Sequence, residues 1–458
     1  MPHILFVTGK LAEPALRRQL ADLAPRAGFE HSVAVLPITV VALATTAWIA
    51  RHLTVPSGID RVVLPGLCSG ELNELAAQTE APVARGPEDL RDLPGFFGER
   101  NNRPADYGDY AVQILAEINH APRLSLDTLL RQARALRESG ADVIDVGCDP
   151  GGPWHAVGEA VRALRGEGLR VSIDSFDAAE VEASVAAGAE LVLSVNRASM
   201  VGARALFERY GCGFVVIPEN PATLDGLDEA VETLGGAGVP FRIDPVLEPI
   251  GFGFAASLGR YFEVRRRYPQ AEMMMGVGNL TELTDVDSAG VNVMLLGFCQ
   301  ELGVRTVLTT EVINWCRSCV RELDVARRLV NYACTHRVLP KNLEPELILL
   351  RDPRLREHGE TTLHELAAGV RDRNFRLFAE RGLLHVLNGK MFLQGTDPFE
   401  MFRQMNASEK IDPEHAFYLG YEMAKAITAL TLGKNYVQDQ ALRWGFLSVP
   451  EESHRDKL

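Results

Sequence analysis

The sequence is poor in cysteine and in positive charge. Seven cysteines are scattered through 458 residues, and this odd number argues against a disulfide framework and favours a reducing, cytoplasmic compartment. The formal net charge is -14, and because binding to a phosphate backbone needs a positive surface, we expect no nucleic-acid partner. No lysine lies between Lys10 and Lys341, so an anionic substrate bound in that stretch needs arginines.

The chain also lacks the marks of a targeting or membrane segment. No basic segment precedes the first apolar run, MPHILFVTG, which therefore predicts a strand and not a signal peptide. The uncharged run at 33–50 contains Pro37 and divides into a strand and a helix, so we expect no membrane span. Cys316 and Cys319 form a CxxC without a second pair, which favours two buried thiols over zinc.

The order of apolar and turn-forming segments predicts three regions. Residues 1–100 alternate strands and helices, as in a small α/β (Rossmann-like) domain. Residues 108–333 contain eight apolar strands separated by helices that end in glycine, which is the pattern of a (βα)8 TIM barrel. A doubly wound open sheet is the alternative, because spacing does not give strand order. Residues 334–458 are predicted to be mainly helical, with a hairpin at Asn388-Gly389.

Polar residues follow every predicted strand of the barrel. Chemistry in such barrels lies at the carboxyl ends of the strands, although each of these residues could equally cap the next helix. Several carboxylates together favour a ligand rich in N–H donors, such as a fused heterocycle with a guanidine-like edge, and a divalent metal is the competing use. The residues in question are Asn119, Asp145 with Asp149, Asp174, Asn196, Glu219, Asp244, Asn279 and Glu311.

Four motifs resemble those of the dihydropteroate synthase family and of the related pterin-binding domains of corrinoid methyltransferases. EINHAP is similar to the family's Asn-x-x-Pro loop, and the resemblance implies that Asn119 contacts a diphosphate and its Mg²⁺. VSIDSF and IDPVLEPIGFGF match two Asp motifs, which implies that Asp174 and Asp244 grip the pterin ring. DVIDVG resembles the Asp-x-Gly strand that contains Asp145, and Asn196 matches a strand 4 Asn with a shifted register.

Two basic motifs of dihydropteroate synthases are missing. GVGNLTEL replaces the Ser-Arg-Lys after strand 7 and is closer to the Gly-x-Ser-Asn of the methyltransferase domains, with Asn279 as the asparagine. LTTEV replaces the Arg-x-His of strand 8. The nearest cationic candidates for contacts to an anionic substrate are Arg123, Arg197 and Arg317.

Taken whole, the chain resembles the dihydropteroate synthase-like proteins associated with tetrahydromethanopterin biosynthesis. This implies that 6-hydroxymethyl-7,8-dihydropterin diphosphate condenses with an arylamine, 4-(β-D-ribofuranosyl)aminobenzene 5'-phosphate, and releases diphosphate with Mg²⁺ as cofactor. Asp174, Asp244 and Asn119 would be the catalytic residues, and Lys10 or Lys434 could bind the amine's phosphate. The partners would be small molecules, with a homodimer possible in this family. A pterin-dependent methyltransferase acting with a corrinoid protein and a non-catalytic pterin-binding subunit are the alternatives.

Overall fold

The computed structural model describes residues 1–41, 44–87, 90–99, 104, 106–150, 152–200 and 202–451. The chain forms two compact units. One comprises Met1–Arg103 together with Ile348–Leu458, and the other is Pro104–Leu347. In the described part of the chain no helix combines the length and the apolar character that crossing a membrane requires.

The N-terminal segment of the first unit is a layered α/β structure. Its four strands form a parallel sheet in the order β2-β1-β3-β4, and apolar side chains pack against both faces of the sheet. The strands are β1 (His3–Gly9), β2 (Glu30–Leu36), β3 (Arg61–Leu64) and β4 (Val83–Arg85), and the helices are α1 (Glu13–Ala27), α2 (Thr46–His52) and α3 (Asn73–Ala76).

The second unit is a closed barrel of eight parallel strands, which confirms the (βα)8 prediction and rules out the open sheet. The ring closes where β12 pairs with β5, so Thr306 lies beside Gln113. The strands are β5 (Gln113–Ile118), β6 (Val143–Gly147), β7 (Val171–Asp174), β8 (Leu191–Val195), β9 (Gly213–Val216), β10 (Phe241–Ile243), β11 (Glu272–Gly276) and β12 (Thr306–Thr309).

The helices of the barrel begin and end at the residues that local chemistry favours. Ser125 and Asp177 accept hydrogen bonds from the first turns of their helices, and Gly140 ends α4 in the left-handed conformation. The helices are α4 (Leu126–Ser139), α5 (Val157–Gly166), α6 (Ala178–Ala186), α7 (Ala203–Tyr210), α8 (Leu227–Gly236), α9 (Phe254–Arg267), α10 (Gly278–Thr281), α11 (Ser288–Leu302) and α12 (Cys319–His336).

The C-terminal segment, which belongs to the first unit, combines helices with a small antiparallel sheet in the order β13-β14-β15. Strand β13 was not predicted, because the charged sequence around it favoured a helix. The hairpin is confirmed, but Leu387 pairs with Phe392, so four residues and not two form its loop. The elements are α13 (Glu360–Gly369), β13 (Arg376–Glu380), β14 (Leu383–Leu387), β15 (Phe392–Gly395), α14 (Pro398–Ser408) and α15 (Pro413–Leu432).

Candidate active site at the barrel mouth

Three carboxylates from neighbouring strands form an arc at the carboxyl-terminal end of the barrel. Glu117 on β5 lies opposite Asp145 on β6, and Gly147 on β6 lies opposite Asp174 on β7. Paired residues of parallel strands point to the same face, so Glu117 and Asp145 lie side by side. We call Glu117, Asp145 and Asp174 the carboxylate arc. The three carboxylates repel one another. Among the described residues, no positively charged side chain contributes to their pKa values, so nothing there offsets this repulsion.

Asp145 is the most deeply buried member of the carboxylate arc. Its side chain is 0 % exposed. Oδ1 accepts a hydrogen bond of 2.6 Å from the Ser172 hydroxyl, whereas Oδ2 is buried without a partner among the described residues. Burial, followed by the charges of Asp174 and Glu117, raises the pKa of Asp145 well above its usual range. A buried acceptor without a donor is costly, so Oδ2 is suited to an N–H donor from a ligand.

Asp174 ends β7, where the sequence placed it, and its carboxylate also has an unused acceptor. Oδ1 is buried and has no partner in the described part of the chain. Burial raises the pKa of Asp174, and a hydrogen bond from the Ser194 side chain opposes this rise. Ser194 has a φ of 59°, in the left-handed region, at an irregularity of β8. The site therefore keeps a strained residue beside Asp174.

Two further acidic side chains, Glu117 and Glu282, were not among the residues selected from the sequence. Burial, followed by the charges of Asp174 and Glu282, raises the pKa of Glu117 to about 7. Glu282 follows α10 and accepts a hydrogen bond from the Thr310 hydroxyl, and burial raises its pKa as well. The sequence did contain a signal for Glu117. It is a charged residue inside an apolar strand, and it lies two positions before Asn119, so the two side chains point to the same face.

Asp244 and Asn279 form a second cluster at the same end of the barrel. Asp244 is 7 % exposed, and its Oδ1 accepts hydrogen bonds from the Tyr261 hydroxyl at 2.7 Å and the Val246 amide at 2.8 Å. Burial raises the pKa of Asp244 to about 6, although these hydrogen bonds act to lower it. Asn279 donates to the Leu247 carbonyl oxygen at 2.9 Å. A Cβ atom built on Gly276 would lie 3.8 Å from Asn279 Nδ2 and 3.9 Å from Asp244 Oδ2, so these two side chains flank one glycine.

Asn119 follows β5, and its Oδ1 is buried with no hydrogen-bond partner among the described residues. A free amide oxygen is a chemically suitable ligand for Mg²⁺. The described residues contain no group of three His, Cys, Asp or Glu side chains able to hold a metal. The donor set therefore fits a Mg²⁺ ion that takes one ligand from Asn119 and the others from a bound substrate, and it does not fit a metal held by the protein alone.

Four of the residues proposed to bind substrate are engaged in exposed ion pairs. Arg123 pairs with Asp149 through Nε at 2.7 Å and NH2 at 3.0 Å, which joins the loops after β5 and β6. Hydrogen bonds from Arg123 and His120 lower the pKa of Asp149. Arg197 pairs with Glu219 at 2.7 Å. Both arginines are therefore already neutralised by carboxylates in this structure.

Asn196 folds back on its own loop. Its Oδ1 accepts hydrogen bonds of 3.0 Å from the Ala198 and Ser199 amides, as an Asx turn does.

Glu311 accepts a hydrogen bond of 2.9 Å from the Val320 amide at the start of α12, and burial raises its pKa to about 7. Arg317, in contrast, is exposed at the same end of the barrel.

Two groups considered from the sequence are buried. Lys434 is 3 % exposed and its ammonium donates to the carbonyl oxygens of Leu349 and Arg443, so it is not a free phosphate ligand. Cys316 and Cys319 are both 0 % exposed, and burial raises the pKa of each thiol. This is the environment of unreactive, buried thiols.

Comparison with known families finds that the barrel is similar to pterin-binding enzymes. Residues 118–233 match the sequence model of a family described as pterin binding enzyme. Residues 2–88 match a family of unknown function (DUF6513), and residues 375–439 match a family designated PterinBD-DUF4346.

Among curated proteins, the chain is 28 % identical over 368 residues to an uncharacterised protein of Methanocaldococcus jannaschii. The matched region covers 72 % of this chain and 69 % of that protein. It is 29 % identical over 168 residues to a probable bifunctional folylpolyglutamate synthase/dihydropteroate synthase of Haloferax volcanii, covering 31 % of this chain and 20 % of that protein.

Solved structures with a similar fold include dihydropteroate synthases from two bacteria. The Yersinia pestis enzyme in a sulfonamide complex has 19 % identity and a TM-score of 0.40, and covers 49 % of this chain and 95 % of its own. The Thermus thermophilus enzyme has 22 % identity and a TM-score of 0.39, and covers 50 % of this chain and 96 % of its own.

Proposed function

We propose that the barrel binds a pterin and transfers its methylene group from diphosphate to an arylamine. The observation that carries this proposal is the pair of buried, unpartnered oxygens, Asp145 Oδ2 and Asp174 Oδ1. A ligand that brings several N–H donors offsets the cost of burying such acceptors. The pyrimidine edge of a pterin presents these donors in one plane.

Each carboxylate has a distinct role in this proposal. Asp145 and Asp174 accept N–H groups of the ring and fix its orientation. Asp244, whose Oδ1 is already held by Tyr261, presents negative charge where the departing diphosphate leaves a cationic pterin methylene. Asn119 would hold Mg²⁺ together with the diphosphate, and the metal would neutralise charge on the leaving group.

For the second substrate we propose 4-(β-D-ribofuranosyl)aminobenzene 5'-phosphate, which would place the reaction in tetrahydromethanopterin biosynthesis. The support is the departure from dihydropteroate synthases at strands β11 and β12, where GVGNLTEL and LTTEV stand in place of the basic motifs. A different amine requires different contacts at that position. We further propose that the protein acts in the cytoplasm on small molecules, as a homodimer.

Diphosphate release tests this function. The purified protein is supplied with Mg²⁺, the pterin diphosphate and either 4-aminobenzoate or the phosphorylated ribosyl amine, and we expect release with the second amine. D174N should weaken pterin binding about tenfold to a hundredfold, because a charge-assisted acceptor is lost. E190Q, which changes a carboxylate at the opposite end of the barrel beside Arg170, is the matched control. Pterin binding unchanged by D174N would contradict the proposed orientation.

A pterin-dependent methyltransferase is the second candidate. The observation that favours it is the pairing of Arg123 and Arg197 with carboxylates, which leaves neither free for a diphosphate. A methylated tetrahydropterin carries no diphosphate and needs no such cation. Methyl transfer to a corrinoid protein without diphosphate release would favour this candidate over the synthase.

A further inference from the structure

The N-terminal α/β segment contains a cavity at the carboxyl-terminal edge of its sheet. Its walls come from the ends of β1 and β3, from the residues just after β4 and from the loop after β2. Its volume is about 170 Å³, close to the roughly 150 Å³ of an apolar cavity that holds a benzene ring. The buried apolar side chains that line it include Phe6, Leu16, Val41, Val63, Leu64 and Leu93.

The cavity lies where the chain changes direction across the sheet. From β1 the chain passes to β2 on one side and then returns to β3 on the other, since the strand order is β2-β1-β3-β4. Helices α1 and α2 consequently cover opposite faces, and α1 packs with Phe6 while α2 packs with Val7. Both of these side chains line the cavity. In open parallel sheets a crevice forms at this point, and ligands bind there.

Hydrogen bonds between main-chain groups fix the rim of the cavity. The Leu11 amide donates to the Thr39 carbonyl oxygen at 3.0 Å, and the Gly86 amide donates to the Leu64 carbonyl oxygen at 2.8 Å. A Cβ on Gly9 would lie 2.8 Å from the Thr39 carbonyl oxygen, so this close approach of two loops requires glycine. Voids of this size are few in close-packed interiors, and a void with a fixed rim favours a preformed ligand site over loose packing.

The charges around the cavity favour an uncharged ligand. Among the described residues no charged side chain lines it, and Lys10 is exposed and is not part of its lining. The first turn of α1 begins at the cavity with Ala12, which provides no side-chain cap, so main-chain amides there suit a hydrogen-bond acceptor. Glu13 already places a carboxylate at this helix end, where it pairs with Arg17 at 2.9 Å. An anion would therefore meet negative charge at the one place that offers donors.

Two further observations narrow the class of ligand. The segment between β1 and α1, GKLAEP, contains a single glycine and not the repeated glycines of a dinucleotide site. Phe6 belongs to an aromatic cluster, because its ring lies 6.0 Å from that of Phe29 and 5.8 Å from that of Phe97 between centroids. A flat ring in the cavity would extend this cluster, and such contacts between aromatic rings are favourable.

We propose that this cavity binds a neutral molecule that has one aromatic ring and one small hydrogen-bond acceptor, as a phenol has. The ring fills the apolar part between β1 and β3, and the acceptor lies at the start of α1. All lining residues belong to the first unit, whereas the carboxylate arc belongs to the second. The inference therefore does not rest on the function proposed for the barrel.

Fluorine NMR titration of the full-length protein tests this site. The probes are neutral 4-fluorophenol, anionic 4-fluorobenzoate and cationic 4-fluorobenzylamine, which are similar in size. We expect saturable binding of 4-fluorophenol with a dissociation constant of about 1 mM or lower, and at least about tenfold weaker binding of the two charged rings, because burying a charge in this cavity is costly.

Two matched variants connect binding with the cavity. Val63 lies beside Phe6 on the paired strand and lines the cavity, so V63L should weaken binding of 4-fluorophenol at least about fivefold by occupying its space. Val62 is equally buried but lies on the opposite face of β3 and does not line the cavity. V62L should therefore leave the affinity within about twofold of wild type, although both changes add the same methylene group.

A third variant keeps the test decisive if V63L does not fold. L93A enlarges the cavity, since Leu93 is a buried lining residue, and it should bind 6-fluoro-2-naphthol at least about tenfold more tightly than wild type does. Absence of saturable 4-fluorophenol binding, or equal or tighter binding of 4-fluorobenzoate or 4-fluorobenzylamine, overturns the proposal. Equal affinities of folded V63L and V62L, or unchanged naphthol binding in L93A, also overturn it. Loss of pterin binding by the barrel would count against the proposed function only.

Discussion

At the scale of single residues, the site is dominated by acidic groups, and two of their buried oxygens, Asp145 Oδ2 and Asp174 Oδ1, have no partner among the described residues. Glu117, Asp145 and Asp174 come from adjacent strands, so the parallel pairing of β5, β6 and β7 brings their carboxyl groups together. Each is buried enough for its pKa to rise. Such an arrangement is unfavourable for the folded protein by itself and is expected where function requires it.

The first prediction concerns Glu117 and pH. The pKa of Glu117 is about 7 in the folded protein and near its ordinary value when unfolded, so the folded state favours the protonated carboxyl. Its contribution is therefore fully present below the unfolded pKa and is lost as the pH rises through about 7. E117Q should have little effect at pH 5 and should stabilise the protein by about 1–3 kcal/mol at pH 8. Urea unfolding of both proteins at the two pH values measures this, and an equal effect at both would contradict it.

The second prediction concerns Gly147. A Cβ at this position would overlap Glu117 Oε1 and approach the Ile118 carbonyl oxygen to 3.3 Å. G147A should displace the flexible end of Glu117 at a cost of about 1 kcal/mol or less and should weaken pterin binding, because the carboxylate arc is distorted. G166A is the control, since a Cβ on Gly166 meets no atom within 4 Å. Calorimetric titration with 6-hydroxymethylpterin and urea unfolding measure both effects.

At the scale of elements, helix α12 is tied to the barrel by an ion pair that is almost fully buried. Arg327 is 2 % exposed, and it binds Asp324 at 2.7 Å and Asp142 at 2.5 Å. It also donates to the carbonyl oxygens of Val112 and Gly140, which lie before β5 and after α4. One guanidinium thus joins the last helix of the barrel to its first βα unit.

The third prediction follows from this contact. R327L should destabilise the protein by about 3–5 kcal/mol, because it removes the buried guanidinium that pairs with both Asp324 and Asp142 and leaves Asp324 only the more exposed Arg328 and Arg321. Arg321 also pairs with Asp324, at 3.4 Å, but its side chain is 45 % exposed. R321L should therefore cost less than about 1 kcal/mol. Similar losses for the two variants in chemical unfolding would show that the buried network is not the cause.

At the scale of the whole molecule, the chain comprises two compact units, and Ile348–Leu458 belongs with Met1–Arg103. The sequence suggested three regions in succession, with boundaries at 1–100, 108–333 and 334–458. That linear division remains a prediction. For unfolding, the relevant units are those defined by tertiary contacts.

The fourth prediction concerns thermal unfolding. Two units with separate cores are expected to unfold in more than one transition, so the calorimetric enthalpy should exceed the van't Hoff value. A bound pterin should raise the midpoint temperature of the barrel transition alone. At a pterin concentration a hundredfold above its dissociation constant, the barrel should be stabilised by about 2.7 kcal/mol. At the same pterin concentration the stabilisation should fall to about 0.4–1.4 kcal/mol in D174N, since its binding is expected to be about tenfold to a hundredfold weaker. A single transition that shifts as a whole would contradict independent unfolding.

The pattern of the sequence was sufficient for the barrel and for part of its site. Apolar strands recur between helices that end in glycine, and the carboxyl ends of parallel strands must meet, so Asp174, Asp145 and Asp244 were placed at the mouth without knowledge of their contacts. Strand β13 was missed, since Arg376–Glu380 carries charges at both ends and its partner β14 decides its conformation.

The sequence by itself determined the fold class and the positions of the strand-end carboxylates, because both depend on periodicity and on local turn chemistry. Only the tertiary structure decided which polar groups are free. It pairs Arg123 with Asp149 and Arg197 with Glu219, buries Lys434, and places Glu117 beside Asp145 with no donor to Glu117 among the residues that the structure describes. These outcomes depend on which side chains face one another across strands and loops far apart in the chain. The energy of a charge depends on those neighbours and on burial, and neither is encoded locally.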